Sequence, residues 1–290
     1  MTRSDFSAWC ASGIHFLDGA TGSNLMKAGL PKNCCTEQWI LEHPQPLQKL
    51  QKAYVEAGSQ IVYCPSFSAN PISLKKHGLA EKTAEMNRAL AAISREAVGA
   101  HAFVAGDMTT TGQPVDPYGD LEYDELKDAY RVQAQALYEG GVDLIVVETM
   151  IGLLECQAAV EAIREVCELP VMVTLTLSPD GRCFLDGSAA EAAKMLPGLG
   201  ADALGVNCSS GPQTLANVVK IFRENCELPV IAKPNAGIPQ VQADGTAVYS
   251  MTPEEFSDHM RALVDAGAGL IGGCCGTTPA HIAAIYQLYK

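Results

Sequence analysis

Along the chain, helix-compatible stretches end in Gly and give way to short runs that are apolar at consecutive positions. The pattern reads EAGSQIVYCPS at 56–66, EGGVDLIVVETM at 139–150, GLGADALGVNCSS at 198–210 and DAGAGLIGGCCGT at 265–277. The Gly stops a helix in a left-handed turn. A run that does not alternate is buried on both faces, as the strands of a parallel sheet are. A second version uses Pro as the stop, in the near-duplicates CELPVMVTLT (167–176) and CELPVIAKPN (226–235). The runs IHFLDGATG (14–22) and AFVAGDMTT (102–110) complete the set.

These runs predict eight strands, starting near residues 14, 61, 102, 143, 171, 203, 230 and 269. Helices are expected over 46–58, 81–100, 122–140, 152–167, 188–199, 212–225 and 252–267, with a last one from Pro279. TPEEF at 252 and TPAHI at 278 each carry a Thr cap followed by Pro in the first turn. Strand then helix, eight times over, predicts an α/β chain folded as a (β/α)8 TIM barrel. The competing architecture is an open doubly wound sheet, but no G-x-G-x-x-G follows the first strand. No linker divides the chain, so residues 1–290 read as a single domain.

Composition narrows the function. The chain is 48% hydrophobic and 18% charged, which suits a globular protein with a sizeable core. No apolar run approaches the roughly 18 residues that span a membrane, and the N-terminus carries no secretory pattern. A cytoplasmic location is expected. The net charge of −13, without any cluster of Lys and Arg, argues against nucleic acid and anionic surfaces as partners. Eleven cysteines in such a compartment do not suggest a disulfide framework. Cys64, Cys156, Cys167 and Cys226 sit in apolar contexts and read as packing.

Catalytic groups of a (β/α)8 barrel lie at the C-terminal ends of its strands. Read there, the strands end in Asp18-Gly19, Cys64, Asp107, Glu148, Thr174, Asn207-Cys208, Lys233-Pro234-Asn235 and Cys274-Cys275. Three cysteines thus converge from strands six and eight, across one intervening strand, roughly 10 Å before their side chains reach inward. The glycines of GGCCG release Cys274 and Cys275 from strand alternation. Three thiolates with a fourth position open is the layout of a catalytic zinc site. Such a zinc suits holding another thiolate, and so suggests alkyl transfer to a thiol. Asp18 and Glu148 are expected to face a cationic group such as an α-ammonium, and the DGATG turn offers backbone N–H groups to a carboxylate. The other vicinal pair, Cys34-Cys35, has no apolar run ahead of it. It reads as loop packing on the same face of the barrel.

LDGATGSNL, GVNCSSGP and GGCCGTTPAHI, together with VVETM and AKPNAGIP, resemble the signature segments of the homocysteine S-methyltransferases, in order and over about residues 12–288. The resemblance implies a barrel in which Zn2+, held by Cys208, Cys274 and Cys275, binds homocysteine as a thiolate that is methylated to methionine. It implies that Asp18, Gly19 and Glu148 bind the amino-acid part. Asn235 is placed to offer an oxygen to zinc when substrate is absent. KPNAGIP and GDMTTTGQP look most like the homocysteine-binding module of cobalamin-dependent methionine synthase. No D-x-H-x-x-G corrinoid signature occurs in this chain. The expected donor is therefore methylcobalamin or another methyl-corrinoid on a separate protein or module. The alternatives are S-methylmethionine or S-adenosylmethionine as donor, a non-catalytic zinc or thiol-binding regulatory module, and a redox protein using the vicinal pairs.

Overall fold

The structure, a computed structural model, describes residues 1–242 and 247–290. Among these residues, eight parallel strands form one sheet: β1 (His15–Phe16), β2 (Ile61–Tyr63), β3 (Phe103–Met108), β4 (Leu144–Met150), β5 (Val171–Leu175), β6 (Ala203–Cys208), β7 (Val230–Pro234) and β8 (Ala268–Ile271). From β2 to β8 each pairs with the next, and β8 pairs with β1. A parallel bridge between Leu17 and Ile61, and a 2.7 Å bond from the Gln60 N–H to the Phe16 carbonyl, join β1 to β2 and close the ring. The architecture is the (β/α)8 barrel that the apolar runs predict.

The connecting helices fall where periodicity puts them, from Pro44–Glu56 after β1 to Pro279–Tyr289 after β8. One differs: residues 212–225 split into a 3-10 turn, Pro212–Thr214, and a helix, Ala216–Asn225. Three short helices in the loops, Gly22–Lys27, Thr36–Glu42 and Pro71–Lys75, were not expected. Neither was Arg3–Cys10, which Thr2 and Asp5 cap reciprocally. That helix inserts Phe6, fully buried, among Leu17, Ile61, Leu144, Ala203 and Ile231, and so plugs the N-terminal end of the barrel. Arg3 fastens it to Asp202, at 2.8 Å, just before β6.

Side chains alternate along a strand, and this rule builds the interior in two levels. Ala105, Val146, Met172 and Ile231 form the apolar lower level with Phe6. Two residues further along the same strands stand Asp107, Glu148, Thr174 and Lys233, all buried. Asn207 follows Gly205 in the same way, and registers against Lys233. The apolar floor therefore carries a charged and polar level directly above it, at the end of the barrel where active sites form.

Candidate metal centre and cavity

A cavity of about 380 Å³ opens at the C-terminal ends of the strands. Its wall includes Asp18, Gly19, Glu148, Cys208, Cys274 and Cys275. Cys208 closes β6 with φ at 55°, followed by Ser209 at 54°. Left-handed non-glycine residues cost roughly 1–2 kcal/mol each, so the neighbours must hold them there. Ser209 Oγ accepts from the Leu177 N–H at 2.8 Å, and the Asn235 N–H donates to the Ser210 carbonyl at 2.9 Å.

The late cysteine pair lies in the turn past β8, not on the strand itself. A Cβ on Gly272 would stand 2.7 Å from the Asp18 carbonyl, and Gly276 has φ at 81°. Both positions therefore require glycine. The Cys274 N–H donates to the Pro234 carbonyl at 2.8 Å, and the Ala236 N–H donates to the Cys275 carbonyl at 2.9 Å. The exit of β7 is thus stitched to both cysteine loops.

The three sulfurs lie within 4.8 Å of one another, with Cys208 and Cys275 3.9 Å apart. Three ligands each about 2.3 Å from a tetrahedral zinc stand about 3.8 Å from one another, so the cluster fits the ion. Asn235 adjoins Cys208, off the cavity wall, and its Oδ1 is buried without a partner. Three soft thiols form a donor set that suits zinc, and Asn235, whose side-chain amide meets Cys208, adds an oxygen without a partner of its own. The sulfurs already share charge. Bonds from Cys208 and Cys274 hold the Cys275 thiol down to about 3, and those donations push Cys274 well up. A metal ion replaces such shared protons. Tyr249 also leans on this sulfur: its ring covers Gly276, and its hydroxyl favours the Cys275 thiolate.

The opposite part of the cavity is ionic. Asp18 is buried and both its oxygens are taken: Oδ2 accepts from the Tyr63 N–H at 2.7 Å, and Oδ1 from Lys233 Nζ at 2.7 Å. Lys233 Nζ also stands 3.4 Å from the centre of the Tyr63 ring. Asp18, expected to face a substrate ammonium, thus meets a lysine of the protein itself. Glu148 accepts from Asn207 Nδ2 at 3.3 Å. Burial pushes its carboxyl up to about 7, against the pull of Lys233. Gly19 leaves space for its neighbours only: a Cβ there would lie 2.6 Å from the Tyr54 hydroxyl. The Ala20 N–H of the DGATG turn is used by Thr277 Oγ1 at 3.1 Å.

Asn207 joins the two parts. Its Oδ1 accepts from the Thr149 N–H at 2.9 Å, where φ of Thr149 is 61°. Its Nδ2 donates to Thr149 Oγ1 at 2.7 Å, to Glu148, and weakly to Cys274 Sγ at 3.9 Å. Asn207, Lys233 and Asp107 received no role from the sequence, although each ends a strand. The period-2 pattern from the apolar floor marks all three as inward-facing. Cys34 and Cys35 also reach the cavity wall, on the face of the barrel where their loop was expected. Cys64 is fully buried, and desolvation pushes its thiol to about 12.

Among the described residues, no helix is long and apolar enough to cross a membrane. A model of the homocysteine S-methyltransferase family matches residues 15–289. The chain is 30% identical over 289 residues to the methionine synthase of Mycobacterium leprae (strain TN), covering 91% of this chain and 23% of that protein. It is 31% identical over 283 residues to the methionine synthase of Mycobacterium tuberculosis, covering 91% and 24%. The chain therefore spans about a quarter of the length of these relatives. The metallated form of the homocysteine methyltransferase MmuM from Escherichia coli superposes with a TM-score of 0.81 at 23% identity, over 95% of this chain and 96% of that one. The oxidized form gives 0.80 at 24% identity, with the same coverage. At that identity the likeness is one of fold. With the family match spanning nearly the whole barrel, the chain belongs to the homocysteine S-methyltransferase family.

Proposed function

We propose that residues 1–290 act as one homocysteine-binding barrel domain that methylates homocysteine to methionine at a zinc site formed by Cys208, Cys274 and Cys275. The observation that carries this reading is the convergence of three thiols on the wall of a cavity whose other wall is acidic. Zinc bound there supplies a Lewis acid that keeps an incoming thiol ionised at neutral pH while its sulfur stays nucleophilic.

The chain's own residues do the rest. Glu148 faces the cavity and takes the α-ammonium of the substrate. Asn207 fixes that carboxylate relative to Cys274, and so sets the span between ammonium and sulfur. Gly19, bare of a side chain, and Asp18, fixed by Lys233, shape the end that receives the rest of the amino acid. Asn235 offers its unpartnered Oδ1 to the metal when substrate is absent. The thiol proton leaves on binding. A sulfur lone pair then forms the new S–C bond as the donor's bond to the methyl group breaks.

The donor we assign is methylcobalamin or another methyl-corrinoid on a separate protein or module. Two observations support it. KPNAGIP and GDMTTTGQP resemble the homocysteine-binding module, and the relatives named methionine synthase extend well beyond the span this chain matches. The cytoplasm, a reducing compartment, suits a chain whose eleven cysteines are all free.

The test is to mix zinc-loaded protein and homocysteine with methylcobalamin, S-methylmethionine and S-adenosylmethionine in turn, and to measure methionine by mass spectrometry. Methionine from methylcobalamin, abolished by Cys208→Ala, is the expected result. Methionine from a sulfonium alone overturns the donor and keeps the reaction. No methionine from any donor, the methylated corrinoid protein included, leaves a zinc or thiol-binding regulatory module.

A further inference from the structure

The cavity wall holds an acid that the reading above does not use. Asp107 ends β3 facing inward, 5% exposed, beside β4, which carries Glu148. Its backbone is locked in place: its N–H donates to Ser66 Oγ at 3.1 Å, and its carbonyl accepts from the same hydroxyl at 2.8 Å. Its side chain has no such anchor, and Oδ1 is buried without a hydrogen-bond partner. An unpaired buried carboxylate is expensive, and so marks a place where a cation or a donor belongs.

Lys233 reaches Asp107 through its field alone, and no ion pair to Asp107 forms among the described residues. Lys233 is the one Lys or Arg on the cavity wall among the described residues, and Asp18 and the Tyr63 ring already engage it. Four carboxylates, Asp18, Glu37, Asp107 and Glu148, line a space that contains one lysine, and Glu37 is taken by the Ser68 N–H at 2.8 Å and the Cys35 thiol at 3.5 Å. Asp18 and Glu37 thus have partners of their own, and Asp107 and Glu148 face each other's charge, offset only by the shared pull of Lys233.

We infer that Asp107 joins Glu148 in binding the α-ammonium of an amino-acid thiol, while Lys233 holds Asp18 as a positioning residue outside that contact. The inference rests on the proposed function for the presence of such a substrate. Burial, reinforced by Glu148, pushes the Asp107 carboxyl well above its ordinary range, in keeping with a site that lacks its counter-charge. A zwitterion brings one ammonium to this pair and carries its own carboxylate elsewhere. A thiol without an amino group brings nothing to it.

That difference is the test. Zinc-loaded wild-type protein, Asp107→Asn and Asp107→Ser are titrated calorimetrically with homocysteine and with 4-sulfanylbutanoate, which has the same carbon chain without the amino group. Wild type is expected to prefer homocysteine. Each variant is expected to lose on the order of 10- to 100-fold in homocysteine affinity, the range of a charge-assisted hydrogen bond, and to bind 4-sulfanylbutanoate within about threefold of wild type. Zinc content equal to wild type shows that a variant is folded, and the serine variant carries the test if the asparagine variant is not. Equal losses for both thiols, or an unchanged preference for homocysteine, overturn the inference alone. Wild type that binds neither thiol overturns the proposed function itself, and this inference with it.

Discussion

Two pairs of adjacent cysteines line the same cavity, Cys34-Cys35 and Cys274-Cys275, and their surroundings differ. The early thiols donate to oxygen: Cys34 Sγ to the Pro31 carbonyl at 3.3 Å, and Cys35 Sγ to Glu37 Oε2 at 3.5 Å. Burial pushes the Cys35 thiol up to about 11. Both thiols of this pair are satisfied in the protonated state. The late thiols face Cys208 and each other, and a thiolate is stabilised among them. What separates the pairs is the third sulfur, carried in by the left-handed end of β6, together with the glycine turn that lets Cys274 and Cys275 point to one side. Convergence of three sulfurs thus depends on backbone held out of its ordinary conformation, and adjacency of cysteines is not enough.

The largest effect that tests this contrast is loss of the metal. Cys208→Ala and Cys274→Ser are expected to reduce bound zinc from one per chain to near zero and to lower methyl transfer more than about 100-fold, since ligand loss exceeds the 10- to 100-fold typical of supporting residues. Plasma mass spectrometry of purified protein reads the stoichiometry. Next comes Lys233→Met, which leaves Asp18 buried without its partner. A loss of about 3–5 kcal/mol in urea unfolding is expected, and a much smaller one when Asp18→Asn is added. Third is Asn207→Ala, which unties Glu148 and Thr149 from the metal side. A drop in kcat/KM of roughly 10- to 100-fold is expected with zinc retained in part.

A fourth effect depends on pH. The Glu148 carboxyl sits near 7 when folded and near 4.5 when unfolded, so the folded state binds the extra proton between those values. Stability of the metal-free protein should therefore fall as pH rises from 4.5 through 7, with a slope of at most about 1.4 kcal/mol per pH unit from this group. Glu148→Gln should flatten that slope. The smallest effect belongs to the early pair: Cys34→Ala should leave zinc at one per chain and shift stability by less than about 1 kcal/mol. Zinc lost from this variant would erase the distinction between the pairs.

The eight strands were legible because a parallel strand buried on both faces is apolar without interruption, and each observed strand begins within a residue of its expected start. The convergence of Cys208, Cys274 and Cys275 was legible because strand ends in a closed barrel share one rim. The ionic side was legible only as a set of strand-end residues. That Asp18 meets Lys233 depends on closure of β8 onto β1, which brings together side chains 215 positions apart. No local spacing encodes that contact. The N-terminal helix escaped notice because it is short and buries a single residue, Phe6, whose value comes from the barrel floor it fills. The face on which Cys34 and Cys35 lie was legible from the order of strand and loop, but the helix Thr36–Glu42 that follows them was not, since no side chain caps its start.

X-ray absorption at the zinc edge is the most direct measurement of the central claim, that Cys208, Cys274 and Cys275 hold zinc and leave one position for a substrate thiolate. For zinc-loaded protein alone, three sulfur neighbours at about 2.3 Å and one lighter atom are expected; with homocysteine, four sulfurs and no lighter atom. A sulfur count that stays the same when homocysteine is added, or that is unchanged in Cys208→Ala, would contradict it.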